Sequence, residues 1–271
     1  MKVVASLNGS ITSESMAFYA LKYAQAQDFT LVLFHVENRK DDIEDVKASI
    51  ERISTIAVSE NIKVETVILS KFSKKNIKNY LLDINADTIF CSTRKHTKFI
   101  KNSFSELLIK MNLNIDIAVV RIVHINNILE SGNIFLSIKE DKLSVKKFTF
   151  FSILSSAYKA KGEIYSVTKI SKFRLAAIGI HETRERLSAI NYNLRHYKKL
   201  SNFMPFSLNI KHDFTFNETQ SILSQVAKSD VDLLIIGARR LSVRTLFSKE
   251  LPIERLMREA SVNTIAYYTK E

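Results

Sequence analysis

Short apolar runs alternate along this chain with stretches whose apolar positions recur every three or four residues, and the alternation passes through the sequence twice. In the first half "KVVASL" (2–7), "TLVLFHV" (30–36), "KVETVIL" (63–69), "DTIFC" (87–91) and "DIAVVRIV" (116–123) are short, bounded and rich in β-branched residues, which predicts five strands. Residues 13–27 carry Met16, Ala17, Ala20, Leu21 and Ala24 at helical spacing, and residues 42–60 begin with the acidic residues that suit a helix N-terminus. Helices over 74–84 and 103–112 complete the half, the last with Ser103 and Glu106 spaced as a capping box. In the second half "NIFLSI" (133–138), "GEIYSVT" (162–168), "SLNIKHDF" (207–214), "DLLIIG" (232–237) and "NTIAYY" (263–268) predict five more strands. Helices are predicted over about 143–158, 181–196 and 218–229, and from near Ser248. The halves are joined by the turn-rich "NNILESG" (126–132). The second half is the longer, and its extra residues fall at "ISKFRLAAIGI" (170–180), whose apolar content predicts an added strand or a lid that packs on something.

Strands alternating with helices imply a parallel sheet covered on both faces, with right-handed crossovers. The expected fold class is α/β, with two Rossmann-like domains at residues 1–126 and 132–271, each a five-stranded parallel sheet flanked by helices. A chain of 271 residues, 46% of them hydrophobic, supplies apolar material for two such cores. It has no run of about 20 apolar residues, so no transmembrane helix and no membrane partner are expected. Its first residues lack the zones of a signal peptide, which makes the cytoplasm the expected location.

The single cysteine, Cys91, excludes an intrachain disulfide and a multi-cysteine metal centre. At the end of an apolar run it reads as a small buried hydrophobe. The net charge of +12 would attract polyanions through counterion release, but only if clustered. The lysines and arginines are scattered, with local density at 71–78, 94–101 and 239–244, and no nucleic-acid-binding motif accompanies them, so nucleic acid is not an expected partner.

The ordered double copy resembles the universal stress protein superfamily in its tandem, two-domain form. "VVASLNGSITSESMAFYALKYA" (3–24) followed by "LVLFHVEN" (31–38) looks like the family's opening, with Asn8 where the family usually has Asp, then Gly9 and Ser10, and with His35 and Val36 at the second strand's end. Residues 237–268 fit the family's last loop, helix and strand, with Glu254 and Arg255 where it often has Glu-Arg. The resemblance implies adenine nucleotide alpha hydrolase-like domains. It also implies, for some members, ATP binding through a loop of Gly, two residues, Gly, nine residues, Gly, then Ser or Thr. Other members lack that loop and act in stress signalling through partners. Family dimers suggest contact between the apolar fifth strands, which as bare edges would need covering.

Glycines in such a loop allow positive φ and let backbone amides approach phosphate oxygens. In the second half Gly237 holds the first glycine position and Arg240 the second, while Glu250 and Leu251 replace the third glycine and the hydroxyl residue. A carboxylate about 4 Å from a phosphate costs on the order of 1–4 kcal/mol. Arg239, Arg240 and Arg244 could offset that, or pair with Glu250 and satisfy the loop internally. Pro252 suits the first turn of the following helix. In the first half Ser92, Lys95, Ser105 and Glu106 take the four positions. Lys139, Glu140 and Asp141 stand in the second half where Asn8, Gly9 and Ser10 stand in the first, so the first half keeps the better site. The candidate, vestigial nucleotide clefts are therefore Asn8, Gly9, Ser10, Val36, Ser92, Lys95 and Ser105, and Gly237, Arg239 and Arg240. No metal is expected, and no resident cofactor, with ATP or AMP as the ligands to test.

His35 reads as a satisfied structural histidine, His181 and His196 lack metal-ligand spacing to each other, and "RHYKK" (195–199) reads as a solvated helix face. "NET" (217–219) matches a glycosylation sequon in a chain with no sign of secretion. No nucleophile, base and orienting acid fall into an arrangement that predicts a reaction. The expected function is a non-catalytic, tandem universal-stress-type protein acting through an unidentified protein partner. The alternative is an adenine-nucleotide sensor using mainly the first half, and a homodimer is a further assembly to test.

Overall fold

The computed structural model describes residues 1–38, 41–70, 73–93, 103–111, 113–139, 144–238 and 252–270. Strands β1 (Lys2–Ser6), β2 (Thr30–Val36), β3 (Val64–Leu69), β4 (Ala86–Ser92) and β5 (Asp116–Arg121) come from the first half. Strands β6 (Asn133–Lys139), β7 (Lys161–Lys169), β8 (Leu208–Thr215), β9 (Leu233–Ala238) and β10 (Asn263–Tyr268) come from the second. Together they form a single ten-stranded sheet in the order β3-β2-β1-β4-β5-β10-β9-β6-β7-β8. Every pairing within a half is parallel. The halves meet at one antiparallel pairing, β5 with β10, in which Val120 faces Ile265 and Val119 faces Ala266. The strand order of the second half thus repeats that of the first, reversed across this seam.

One face of the sheet carries α1 (Ile11–Gln27), α2 (Ile43–Ser59), α5 (Val145–Ala157) and α7 (Ile180–Ser201). The other carries α3 (Lys74–Asp83), α4 (Phe104–Lys110), α8 (Glu218–Lys228) and α9 (Pro252–Glu259). On each face the apolar cluster runs through both halves, so the two cores are divided by the sheet. On the first face α1 and α5 lie against each other over the seam. The apolar residues of α1 are not confined to one stripe: Met16, Ala17 and Ala20 are buried, and so are Tyr19 and Tyr23. A helix apolar on several sides is covered on several sides. Tyr23 meets Phe150 of α5 at 5.3 Å between ring centroids, Phe90 meets Phe150 at 5.9 Å, and Phe150 stacks on Tyr267 at 4.0 Å. Aromatic pairs of this kind contribute about 0.5–1.5 kcal/mol each beyond area burial.

Polar groups lock the same seam. Asn263 is fully buried at the start of β10. Its Oδ1 accepts from the Val123 and His124 amides, and its Nδ2 donates to the Tyr19 hydroxyl and the His124 carbonyl. Asp116, at the start of β5, accepts from the Tyr267 hydroxyl and the Lys270 amide. Arg121 is buried at the other end of β5 and donates to the Ala260 carbonyl at 2.7 Å, capping the C-terminus of α9 where the helix dipole favours a cation. The link between halves contains a 3-10 turn at Asn126–Ile128, and Asp232 holds it by accepting from Asn127 Nδ2 and from the Gly132 and Asn133 amides.

The insert is neither a strand nor a packed lid. It forms a short helix, α6 (Lys172–Ala177), none of whose residues is buried, followed directly by α7. "RHYKK" is solvated except for Tyr197, which is buried against Phe148 and whose hydroxyl accepts from the Ser144 amide. Cys91 is buried as expected, and burial pushes its thiol up to about 12.

Candidate functional site

In an open parallel sheet the ligand crevice lies beyond the carboxyl ends of the strands, where the strand order reverses. Here that point falls between β1 and β4 in the first half and between β6 and β9 in the second.

At the first point Asn8, Gly9, Ser10, Val36 and Ser92 follow or end three adjacent strands, β2, β1 and β4, so the structure brings them to one edge. The β1–α1 turn is closed by its own side chains. Asn8 Oδ1 accepts from the Ser10 amide at 3.2 Å and from its hydroxyl at 2.6 Å. Ser13 Oγ accepts from the Asn8 amide, and Ser10 caps α1 by accepting from the Ser13 amide. Gly9 has φ of 77°, the left-handed region that favours glycine. A Cβ there would lie 2.9 Å from Asp45 Cβ and 3.0 Å from the Val46 amide nitrogen. The open side of this glycine is therefore filled by the first turn of α2. Val36 is buried, and His35 is fixed by a 2.8 Å hydrogen bond between its Nδ1 and the Leu7 carbonyl oxygen, the structural role expected of it.

Ser105 is fully buried and its hydroxyl pairs with that of Ser103 at 2.9 Å. Ser103 caps α4 by accepting from the Glu106 amide, as the capping-box spacing implies, and the Glu106 carboxylate pairs with Lys110 at 2.7 Å. Lys95 lies outside the described residues.

At the second point Gly237 is reached by Lys147 of α5. A Cβ on Gly237 would meet Lys147 Cδ at 2.3 Å and Nζ at 2.8 Å, so the lysine stem lies over the bare backbone. Arg239 and Arg240, with Arg244, Glu140, Asp141, Glu250 and Leu251, lie outside the described residues. A pocket of about 130 Å³ opens here, with Ser137, Thr219 and Glu218 as its polar wall and Ile236, Gly237 and Leu256 among the rest. That is room for about four waters and well below the roughly 300 Å³ at which small-molecule sites begin. The α8 N-terminus beside it is capped by Asn217, whose Oδ1 accepts from the Gln220 amide. The same asparagine is the sequon residue, so its side chain is in use within the fold.

Sequence reasoning missed one further cluster, Tyr165 with Asp213 and Ser221. The Tyr165 hydroxyl hydrogen-bonds the Asp213 carboxylate and meets the Ser221 hydroxyl at 2.8 Å. Burial, and then the Asp213 carboxylate, raise the Tyr165 pKa well above the usual phenol value, which makes the group a poor proton donor at neutral pH. β7 is buried on both faces through its centre, so no alternation in the sequence marks Tyr165 out. Among the described residues no group of three or more His, Cys, Asp or Glu could hold a metal ion, and no helix is long and apolar enough to cross a membrane.

This architecture is that of the universal stress proteins, an α/β fold built on a mostly parallel sheet. The chain superposes along its full length on a universal stress protein from Archaeoglobus fulgidus DSM 4304, with a TM-score of 0.64, 13% identity and 98% of that chain covered. A Pseudomonas aeruginosa UCBPP-PA14 protein provisionally described as a universal stress protein matches with a TM-score of 0.64 and 12% identity, over 99% of this chain and 93% of that one. The cytoplasmic domain of a prokaryotic cation chloride cotransporter matches with a TM-score of 0.60 and 12% identity, over 99% of this chain and 95% of that one. No family model matches the chain, and no curated protein does. The shared fold bears out the α/β class and the doubled element order read from the sequence. At these identities it speaks for the fold, and function has to be argued from the site.

Proposed function

We propose that this chain is a non-catalytic, tandem universal-stress-type protein that acts in a stress response through a protein partner, and that its nucleotide loops are degenerate. One observation carries the reading. The glycine of the β1–α1 turn is covered from within by Asp45 and Val46, whose Cβ and backbone atoms cannot swing aside, whereas the flexible, cationic Lys147 over Gly237 is a lesser obstacle. The turn after β1 supports it, because Asn8 and Ser13 already serve amides that a phosphate would use. The alternative, an adenine-nucleotide sensor working mainly through the first half, draws on the placement of Asn8, Val36 and Ser92 at the ends of adjacent strands.

Thermal unfolding with millimolar ATP, AMP or a cyclic nucleotide separates the two. A ligand at 100 times its dissociation constant stabilises by about 2.7 kcal/mol, which for a chain of this size raises Tm by about 5 °C or more. The expected result is no shift with any of the three. A shift of that size would overturn the degenerate-loop reading in favour of the sensor.

A further inference from the structure

The connection from β7 to β8 concentrates charge and exposed apolar surface in a way the rest of the chain does not require. Between residues 169 and 186 five lysines and arginines stand against Glu182 and Glu185, a net +3, and Arg195, Lys198 and Lys199 follow toward the far end of α7. Glu182 is already shared by Arg174 at 2.8 Å and Arg186 at 2.9 Å, so it neutralises only one of them. Within the same connection Phe173 is 89% exposed, Ile180 76% and Phe203 85%. The Arg174–Glu182 bond holds α6 against the first turn of α7, and the Lys172 ammonium sits 5.8 Å from the centre of the half-exposed Phe216 ring. Phe173, Ile180 and Phe216 are thereby gathered at one basic corner beyond the ends of β7 and β8.

Helix α6 is far shorter than an isolated helix needs to be stable, and it buries nothing to compensate. These apolar side chains project, exposed, from helix starts and a turn. A protein partner would need a matched pocket for each. A lipid interface needs none, because protruding apolar side chains enter the headgroup boundary while lysine and arginine stems carry their charges back to anionic headgroups. Nucleic acid fits less well, since Ile180 offers no face for base stacking.

We infer that the α6–α7 corner docks this protein on an anionic membrane surface, peripherally and without a spanning segment. The test is sedimentation of the full chain with phosphatidylcholine vesicles, with and without about a third phosphatidylglycerol. The expected result is binding to the anionic vesicles only, reduced about tenfold by raising the salt from low to about 0.5 M. A Phe173→Ser/Ile180→Ser variant should lose about tenfold in partition while its melting curve is unchanged, because both residues are exposed in the folded protein. No binding to anionic vesicles would overturn the inference. So would binding that the double variant leaves intact, or equal retention on duplex DNA, since either would mark attraction by charge alone.

Discussion

Asn263→Ala is expected to lower the unfolding free energy by about 3–5 kcal/mol, the largest effect of any single polar substitution in the described seam. The side chain is fully buried and all four of its hydrogen bonds are made, two to amides of the residues after β5, one to the His124 carbonyl and one to Tyr19 of α1. Truncation takes the described partner from two backbone N–H groups and from the His124 carbonyl, while the Tyr19 hydroxyl keeps Ser131, and a buried orphan costs about 1–3 kcal/mol. Part of this is recovered by water at the partly exposed Val123–His124 turn, hence a figure below the full sum. Asn263→Asp keeps the acceptor for Val123 and His124 but sets a buried carboxylate oxygen against the His124 carbonyl, and should destabilise at least as much as Ala. Urea unfolding followed by circular dichroism measures both. A loss below about 1 kcal/mol for the alanine variant would mean that the halves are not coupled through this residue.

The second large effect is expected at Gly9. Gly9→Ala should destabilise by about 2–3 kcal/mol, from two causes that act together. An L-residue at a φ of 77° costs about 1–2 kcal/mol, and the new Cβ would press on Asp45 Cβ at 2.9 Å and on the backbone of α2. Those backbone atoms cannot swing away as the end of a flexible side chain would. The outcome also separates two meanings of this glycine. If it serves packing, stability falls and nucleotide response stays absent. If it were kept open for a ligand, the loss would be limited to the φ cost of about 1–2 kcal/mol, and the wild-type chain would show a nucleotide response that the variant lacks.

Much of the fold was legible in the sequence because the two periodicities were clean. β2 and β10 were read at their observed limits, and Ser103 caps α4 as its spacing from Glu106 suggests, whereas α1 starts two residues before its predicted limit with Ser10 as its cap. What the sequence could not show was how α1 and α5 would use their extra apolar residues. Tyr19, Tyr23 and Phe150 fall outside a single helical stripe, and only the antiparallel pairing of β5 with β10 brings them together. The insert misled for the opposite reason: "FRLAAIGI" is apolar enough for a core, yet α6 is exposed, so composition alone could not tell burial from display. For the candidate site, residue types were readable and occupancy was not. Gly9 looks like part of an open strand-end turn and Gly237 like the survivor of a phosphate loop in the sequence, whereas their neighbours in space are Asp45 and Lys147, far away along the chain.

A sheet closed across its middle makes the two halves one cooperative unit, and backbone hydrogen exchange reads this most directly. With exchange followed by mass spectrometry on the full chain, peptides covering β5 and β10 should be among the slowest, opening only with global unfolding and at the same rate as β1 and β6. Chemical denaturation should then give one transition. Early exchange of β5 and β10 while β1 and β6 stay protected, or two separate transitions, would contradict the account.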